Sequence, residues 1–207
     1  MDILPNQLEQ LDFHLQDSLS HQELVPFIRT YMKKNTRFSI IYTLLNVFFF
    51  GIILFWFWRN YGTEGFEISE GISYLSYGFA FAFLLVPLHE YIHVLAYKSQ
   101  GAKQTSYDAN WKKFYFMALA DKFVANKKEF QIIALAPIVV ISLVLLLFVL
   151  FTSKLWTFTI LGTLMVHTAF CSGDFGLLSY FDFHKNKEIV TFDDVENKIS
   201  YFYQKEN

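Results

Sequence analysis

Two histidines and a glutamate stand at fixed spacing in an apolar run of the chain. His89 and His93 are four residues apart, and Glu90 follows His89 directly. On an α-helix, residues four apart lie on one face, so both imidazoles would point to the same side. This His-Glu-x-x-His pattern is typical of helices whose two imidazoles bind zinc while the glutamate accepts a proton from the attacking water. It predicts a catalytic zinc centre.

The surroundings of these residues strengthen the prediction. Residues 86–97 form an otherwise apolar run, and ionisable groups in a membrane segment cost roughly 2.5–3.5 kcal/mol each on insertion scales. Such groups persist where they have a partner and a use. The alternatives are a chance match and a polar contact between helices. Three such residues on one apolar stretch argue against chance.

Composition indicates a membrane protein. Of the 207 residues, 54% are hydrophobic and 20% aromatic, which is more apolar than an ordinary soluble domain. The net charge of −2 gives no sign of a nucleic-acid partner. A single cysteine, Cys171, excludes an intrachain disulfide framework and a cysteine-rich zinc site. The polar N-terminal stretch lacks the pattern of a cleaved signal peptide, so we expect the first membrane helix to be an uncleaved anchor.

Four apolar stretches are long enough to cross a bilayer as helices. They cover residues 38–58, 73–97, 130–152 and 155–181. The histidine motif lies in the last third of the second span, where Pro87 removes a helical hydrogen bond and loosens the helix. We therefore expect a mainly α-helical polytopic membrane protein with about four transmembrane helices.

The segments outside the spans carry weaker signals. Residues 20–34 predict an amphipathic helix with Ser20 and Glu23 as its capping box. This helix either lies in the membrane interface or packs on its own protein. After the second span, residues 105–117 predict a small β-hairpin that turns at Asp108-Ala109-Asn110. The C-terminal tail predicts a further strand.

The distribution of lysine and arginine predicts the orientation. Basic residues concentrate before the first span, within residues 98–128 and in the tail, whereas the other two loops hold only Arg59 and Lys154. The positive-inside rule then places both termini in the cytosol. The predicted domains are a cytosolic N-terminal segment at residues 1–36, a four-span membrane core at 37–181 and a cytosolic tail at 182–207.

A catalytic zinc site usually has three protein ligands and one open position. The ionisable residues of the fourth span are Asp174 and His167. Counted from the cytosolic span ends, Asp174 and His89 both lie roughly 12–14 Å deep, whereas His167 is displaced by roughly 10 Å along the axis. Asp174 is therefore the expected third ligand, and we expect His167 to support a ligand or contact the substrate. The alternatives are His167, Cys171 or no third protein ligand.

Two glycines favour Asp174 in this role. Gly173 and Gly176 flank it, and small residues let membrane helices approach closely. We therefore expect the fourth span to pack against the second span at this level, with both helices contributing ligands to one ion.

The residues resemble those of a known family. The motif residues 89–93 in one membrane helix, Ala136-Pro137 at the start of the next and Ser172-Gly173-Asp174 in the last are similar to the zincin peptidases of bacterial membranes. That family is in turn similar to the site-2 intramembrane metalloproteases. The resemblance covers roughly residues 70–205. The Asn-Pro run that precedes the aspartate in many site-2 proteases is absent from this sequence.

The resemblance implies a site-2-protease-like core in the bacterial cytoplasmic membrane. Zinc would be bound by His89, His93 and Asp174 near the cytosolic side, with Glu90 as the catalytic base. The implied reaction is hydrolysis of a peptide bond in a membrane protein or peptide, within or beside the lipid bilayer.

Two other functions remain open from the residues alone. A zinc-dependent membrane hydrolase acting on a lipid or a non-peptide amide would use the same water chemistry. A non-catalytic metal-binding membrane interaction protein would need the ligands only. Glu90 argues against the second of these, because a structural metal site needs no base beside its ligands. For a peptide substrate, residues 105–117 are expected to hold the unwound chain as an added strand.

Overall fold

The computed structural model describes residues 3–110, 112 and 115–205. These residues are mostly helical, which confirms the predicted class. The helices are α1 (Leu24–Met32), α2 (Arg37–Asn60), α3 (Ile68–Leu84), α4 (Val86–Ser99), α5 (Lys127–Val149), α6 (Lys154–Phe170) and α7 (Ser172–Phe183). The strands are β1 (Phe13–Ser20), β2 (Ser106–Asn110), β3 (Tyr115–Leu119), β4 (Ala125–Asn126), β5 (Ile189–Asp194) and β6 (Ile199–Lys205).

Several of the helices are suited to a membrane. Within the described residues, α2 and α5 are each long and apolar enough to cross one. The pairs α3 with α4 and α6 with α7 pass the same test together, but each pair is bent by more than 40° at a break. The described residues therefore hold two helices that are long and apolar enough to span a membrane, or up to four if each bent pair is one span. The prediction of about four spans agrees with this range of two to four. Helices of this length and composition support membrane association.

The second and fourth predicted spans are not continuous helices. α3 ends at Leu84 and α4 begins at Val86, with Pro87 as its second residue. Because proline lacks an amide hydrogen and fits the first turn of a helix, it favours a new helix start at this point. α6 ends at Phe170 and α7 begins at Ser172. This second break carries no proline and was not expected from the sequence.

The described residues separate into two compact units. The helical unit comprises residues within Ile40–His89 and Pro137–Ser172. The sheet unit comprises residues within Met1–Ser39, Glu90–Ala136 and Gly173–Asn207. The predicted three-part division of the chain stays a prediction.

The helical unit is built on the contact between α3 and α6. Thr159 and Thr163 of α6 donate hydrogen bonds from Oγ1 to the carbonyl oxygens of Tyr74, at 2.8 Å, and of Gly78, at 3.2 Å. A Cβ atom on Gly162 would lie 2.7 Å from the carbonyl oxygen of Leu75, so the two backbones are in direct contact there. Small residues and threonine hydroxyls allow such an approach in apolar surroundings.

The sheet unit joins the two ends of the chain. Among the described residues, its larger sheet has the strand order β1-β6-β5-β4. β1 pairs antiparallel with β6, from Phe13 opposite Lys205 to Ser20 opposite Ile199. The expected strand of the C-terminal tail is confirmed as β5 and β6. The N-terminal strand β1 was not predicted, because its paired residues in β6 lie 179 to 192 positions away and no local pattern marks the pairing.

The N-terminal helix is shorter than predicted. α1 covers Leu24–Met32 instead of residues 20–34, and Pro26 stands in its first turn, where proline is tolerated. The predicted capping box is wrong, because Ser20 ends β1 and its side chain makes no capping hydrogen bond. Phe27 and Tyr31 pack against the core of the sheet unit. This packing favours the helix that lies on its own protein over the helix in the membrane interface.

The predicted β-hairpin is confirmed, but its turn is not where the sequence placed it. β2 and β3 pair antiparallel from Ser106 opposite Leu119 to Asn110 opposite Tyr115. Asp108-Ala109-Asn110 therefore lies within β2. The connection between the strands includes Trp111, Lys113 and Phe114, which are outside the described residues.

Asp108 is held in its strand by polar partners. Its carboxylate accepts a hydrogen bond from Nδ1 of the buried His21 at 3.2 Å and one from Nζ of Lys198 at 2.9 Å. Burial by itself raises the pKa of Asp108, but these hydrogen bonds outweigh it and hold the pKa below its ordinary value. Aspartate favours turns through local backbone bonds. Asp108 accepts one such bond, from the amide of Ala109 at 3.0 Å, but the two distant side chains hold it within the strand.

Gly78→Ala should destabilise the helical unit. The added Cβ atom would collide with the carbonyl oxygen of Thr159 and lie 2.8 Å from the amide nitrogen of Thr163. Overpacking of this kind costs about 1–3 kcal/mol, so the midpoint of thermal unfolding in detergent should fall. Gly51→Ala on α2 is the matched control, because nothing lies within 4 Å of its added atom. An equal loss in both variants would contradict the close contact of α3 with α6.

Candidate metal centre

The histidine motif lies on one continuous helix, α4 (Val86–Ser99). His89 is 8% exposed and His93 is 7% exposed. Glu90 is partly buried, and its Oε2 atom is covered. Because α4 is unbroken through the motif, the two imidazoles lie on the same face, one turn apart. The helix that the spacing requires is present.

His93 is held at both ring nitrogens within the sheet unit. Its Nδ1 donates a hydrogen bond to the backbone carbonyl of Ile133 at 2.9 Å. Its Nε2 lies 3.1 Å from Oδ1 of Asp174. Since a carbonyl oxygen only accepts, the Ile133 contact keeps a proton on Nδ1 and leaves Nε2 as the atom available to a metal.

His89 has a comparable partner within the helical unit. Its Nδ1 lies 3.1 Å from Nε2 of His167, which is 1% exposed. A hydrogen bond donated by Nδ1 of His89 again leaves Nε2 as the metal-binding nitrogen. Both motif histidines thus use Nδ1 for a supporting contact.

His167 is closer to the motif than the depth comparison predicts. That comparison counted along residues 155–181 as one straight helix. The structure breaks this helix at Cys171, four residues after His167. Depth therefore cannot be counted along one helical axis through residues 155–181, and His167 contacts His89. The contact is compatible with the expected supporting role, while a contact with the substrate stays a prediction.

The helical unit holds an alternative set of donors. The ligand atoms of His89, His167 and Cys171 all lie within 4.8 Å of one another, and all three residues are buried. The thiol of Cys171 donates to the carbonyl oxygen of His167 at 3.3 Å. The two residues that the sequence left open as alternative ligands therefore lie beside His89.

Asp174 is the third residue of α7 (Ser172–Phe183). In the first turn of a helix, amide groups without a helical partner favour a carboxylate. The expectation that the flanking glycines admit the second span is wrong for Gly176. A Cβ atom there would lie 2.6 Å from Cγ2 of Ile28, so Gly176 admits α1 instead.

Sequence reasoning missed Ile133 and Ile28. Ile133 contributes a backbone carbonyl, an atom that every residue has, and the available signal is indirect: Pro137 stands four residues later on α5. Ile28 lies within the amphipathic helix predicted for residues 20–34, but no local pattern indicated that this helix covers α7.

The residues of the sheet unit fit a zinc ion. Zinc binds imidazole nitrogen and carboxylate oxygen at roughly 2.0–2.2 Å, and two donors on a tetrahedral ion are then about 3.3 Å apart. The separation of 3.1 Å between His93 Nε2 and Asp174 Oδ1 is close to this value. The supporting bond from His93 to Ile133 is the kind of contact that orients a metal-binding histidine.

A comparison with protein families identifies the group to which the chain is related. The model of a family described as "Putative zincin peptidase" matches residues 82–188, more than half of the chain. The chain belongs to this family. Membership supports a zinc-dependent metallopeptidase, as the resemblance implied. Searches of curated proteins and of solved structures find no match.

The family match covers the residues of the candidate metal centre but not the whole fold. Residues 82–188 include the motif of α4, the helix α5 and both His167 and Asp174. The helices α1 and α2, the strand β1 and the pair β5 and β6 lie outside it. The family description thus bears on the candidate centre and not on the sheet that joins the chain ends.

Substitutions on α6 and α7 should separate the two donor sets. Asp174→Ala should lower the zinc content of the purified protein sharply, because it removes the carboxylate beside His93. His167→Ala should retain the metal and mainly slow catalysis, since its partner His89 keeps Nε2. Metal analysis of detergent-purified protein without a histidine tag measures both. Zinc loss in His167→Ala but not in Asp174→Ala would instead favour the set with Cys171.

Proposed function

We propose that this protein is a membrane-embedded zinc metallopeptidase of the site-2-protease type. In this proposal His89, His93 and Asp174 hold the zinc ion, and Glu90 is the catalytic base. The observation that carries it is the 3.1 Å approach of Asp174 Oδ1 to His93 Nε2. That approach connects the helix of the motif with the carboxylate that the sequence selected as third ligand.

The chain's own residues would divide the work of peptide hydrolysis. Zinc, when bound, supplies a Lewis acid that activates water and polarises the substrate carbonyl. Glu90 accepts the proton of the attacking water and returns it to the leaving amine. Glu90 follows His89 directly on α4, so its side chain begins on the same helical turn as the ligands. His167 holds Nδ1 of His89 and so supports the first ligand.

The proposed substrate is a membrane protein or peptide. Family membership supports a peptide bond over a lipid or another amide. A helical substrate hides its backbone groups in its own hydrogen bonds, so it must unwind before hydrolysis. The hairpin of β2 and β3 is a sheet of two strands among the described residues, and an extended peptide could pair with its outer edge.

We further place the protein in the bacterial cytoplasmic membrane with both termini in the cytosol. The variants Glu67→Cys and Lys112→Cys, each of which adds one cysteine to the chain, test this orientation with a membrane-impermeant maleimide on intact cells. The first should label from outside, and the second only after the cells are opened. Cys171 is fully buried and should stay unlabelled in both. The opposite pattern would place the centre near the outer face.

Glu90→Gln should keep zinc and lose turnover, because the glutamate acts as a base and not as a ligand. Wild type and variant should each carry about one zinc per chain by metal analysis. Membrane fractions of cells expressing either protein, compared by proteomics, should show cleaved products only with the wild type. Lipid or small-amide products without peptide cleavage would favour the other hydrolase. Zinc content near zero in the wild type would exclude the proposed function.

A further inference from the structure

Pro137 lies inside the long helix α5 (Lys127–Val149). In an α-helix the amide of each residue donates to the carbonyl four residues before it. Proline has no amide hydrogen, and its ring also pushes that carbonyl aside. The carbonyl that loses its helical donor here is the one of Ile133.

This carbonyl needs another donor. Ile133 is 2% exposed and packs with Ala96 and Tyr97 of α4. A buried carbonyl without a hydrogen bond is costly, and more so in apolar surroundings. The donor that reaches it is Nδ1 of His93, at 2.9 Å.

The same hydrogen bond settles the state of the imidazole. With the proton held on Nδ1, Nε2 is the nitrogen that lies 3.1 Å from Oδ1 of Asp174, where it donates to the carboxylate while protonated and can bind a metal once that proton is lost. An imidazole whose Nδ1 had lost this acceptor could rotate or move its proton to Nε2. Rotation would move Nε2 away from the carboxylate, and the proton shift would occupy the lone pair that a metal needs.

We propose that Pro137 is a positioning residue of the metal centre. By withholding an amide from the Ile133 carbonyl, it creates the acceptor that fixes the ring and tautomer of His93. Pro137 acts through these two residues and touches neither metal nor substrate. The proposal rests on the proposed function, because it assigns a purpose to the orientation of a metal-binding histidine.

The proposal predicts that one variant loses zinc affinity without losing stability. Pro137→Ala supplies an amide that competes with His93 for the Ile133 carbonyl. Zinc binding should weaken by about tenfold, as when other supporting contacts of metal ligands are removed. The thermal midpoint of the zinc-free protein should stay equal or rise, because alanine replaces the residue least suited to a helix interior. A proline that served only to shape helix α5 would not make zinc binding depend on the hydrogen bond between His93 and the Ile133 carbonyl.

An ester at position 137 separates the missing amide from the proline ring. Replacing Pro137 by lactic acid through nonsense suppression gives an alanine-like side chain on a backbone without the amide hydrogen. This ester variant should bind zinc as the wild type does, whereas Pro137→Ala should not. Val139→Ala on the same helix is the matched control, because its side chain is exposed, and it should bind as the wild type. Pro137→Leu repeats the amide-bearing case with a larger side chain.

Two measurements on the full chain in detergent test the proposed role of Pro137. Competition with a fluorescent chelator gives zinc affinity well below the unfolding temperature. Nitrogen-15 NMR of labelled histidine, assigned with His93→Gln, reports the tautomer in zinc-free protein. The wild type and the ester variant should show His93 protonated on Nδ1, and Pro137→Ala should show a mixture.

Unchanged zinc affinity and tautomer in Pro137→Ala would overturn the proposal. So would an ester variant as weak as Pro137→Ala, since the effect would then belong to the ring. If the wild type binds no zinc, the proposed function fails, and the tautomer measurement still decides whether Pro137 controls His93.

Discussion

A histidine in an apolar helix can offer one nitrogen to a metal only if its other nitrogen has a partner. His89 and His93 both meet this requirement through Nδ1, the first with His167 and the second with the carbonyl of Ile133. The two partners differ in kind, because one is a side chain on α6 and the other a backbone atom of α5. The rest of the candidate centre depends on these contacts, because each one holds its ring through Nδ1 and leaves Nε2 for a metal.

Interruptions of the apolar helices are the second feature that shapes the centre. α4 begins three residues before His89, and α7 begins two residues before Asp174. A helix start leaves amide groups without helical partners, which in apolar surroundings is costly unless polar groups lie near. Asp174 is such a group, and its carboxylate also reaches His93. The carboxylate thus lies both at a helix start and beside a histidine of the proposed ligand sphere.

The parts of the chain outside the family match also bear on Asp174. Ile28 of α1 lies against the backbone of α7 at Gly176. Further along α7, Asp182 accepts hydrogen bonds from the backbone amide and the guanidinium of Arg37, at 2.8 Å. These contacts hold α7 along its length within the sheet unit. The N-terminal residues therefore support the helix that carries the third proposed ligand.

Local sequence patterns were enough to predict several features of this protein. The spacing of His89 and His93 determines a shared helix face, and the apolar runs determine where the long helices lie, because both depend only on neighbours along the chain. Pro87 was expected to loosen the second span, and the structure goes further, because a separate helix, α4, begins one residue before it. The hairpin after the second apolar stretch was also visible, although Asp108 was misplaced in its turn because its partners are distant in sequence.

Only the tertiary structure decided which residues from distant parts of the chain contact one another. Depth counting separated His167 from the motif because it assumed an unbroken helix, and the break at Cys171 removed that assumption. The bond from His93 to Ile133 and the packing of Ile28 on Gly176 join segments far apart in the chain. The pairing of β1 with β6 is of the same kind. Periodicity reports the face on which a residue lies, whereas the partner of that face depends on helix breaks and strand register that no local pattern contains.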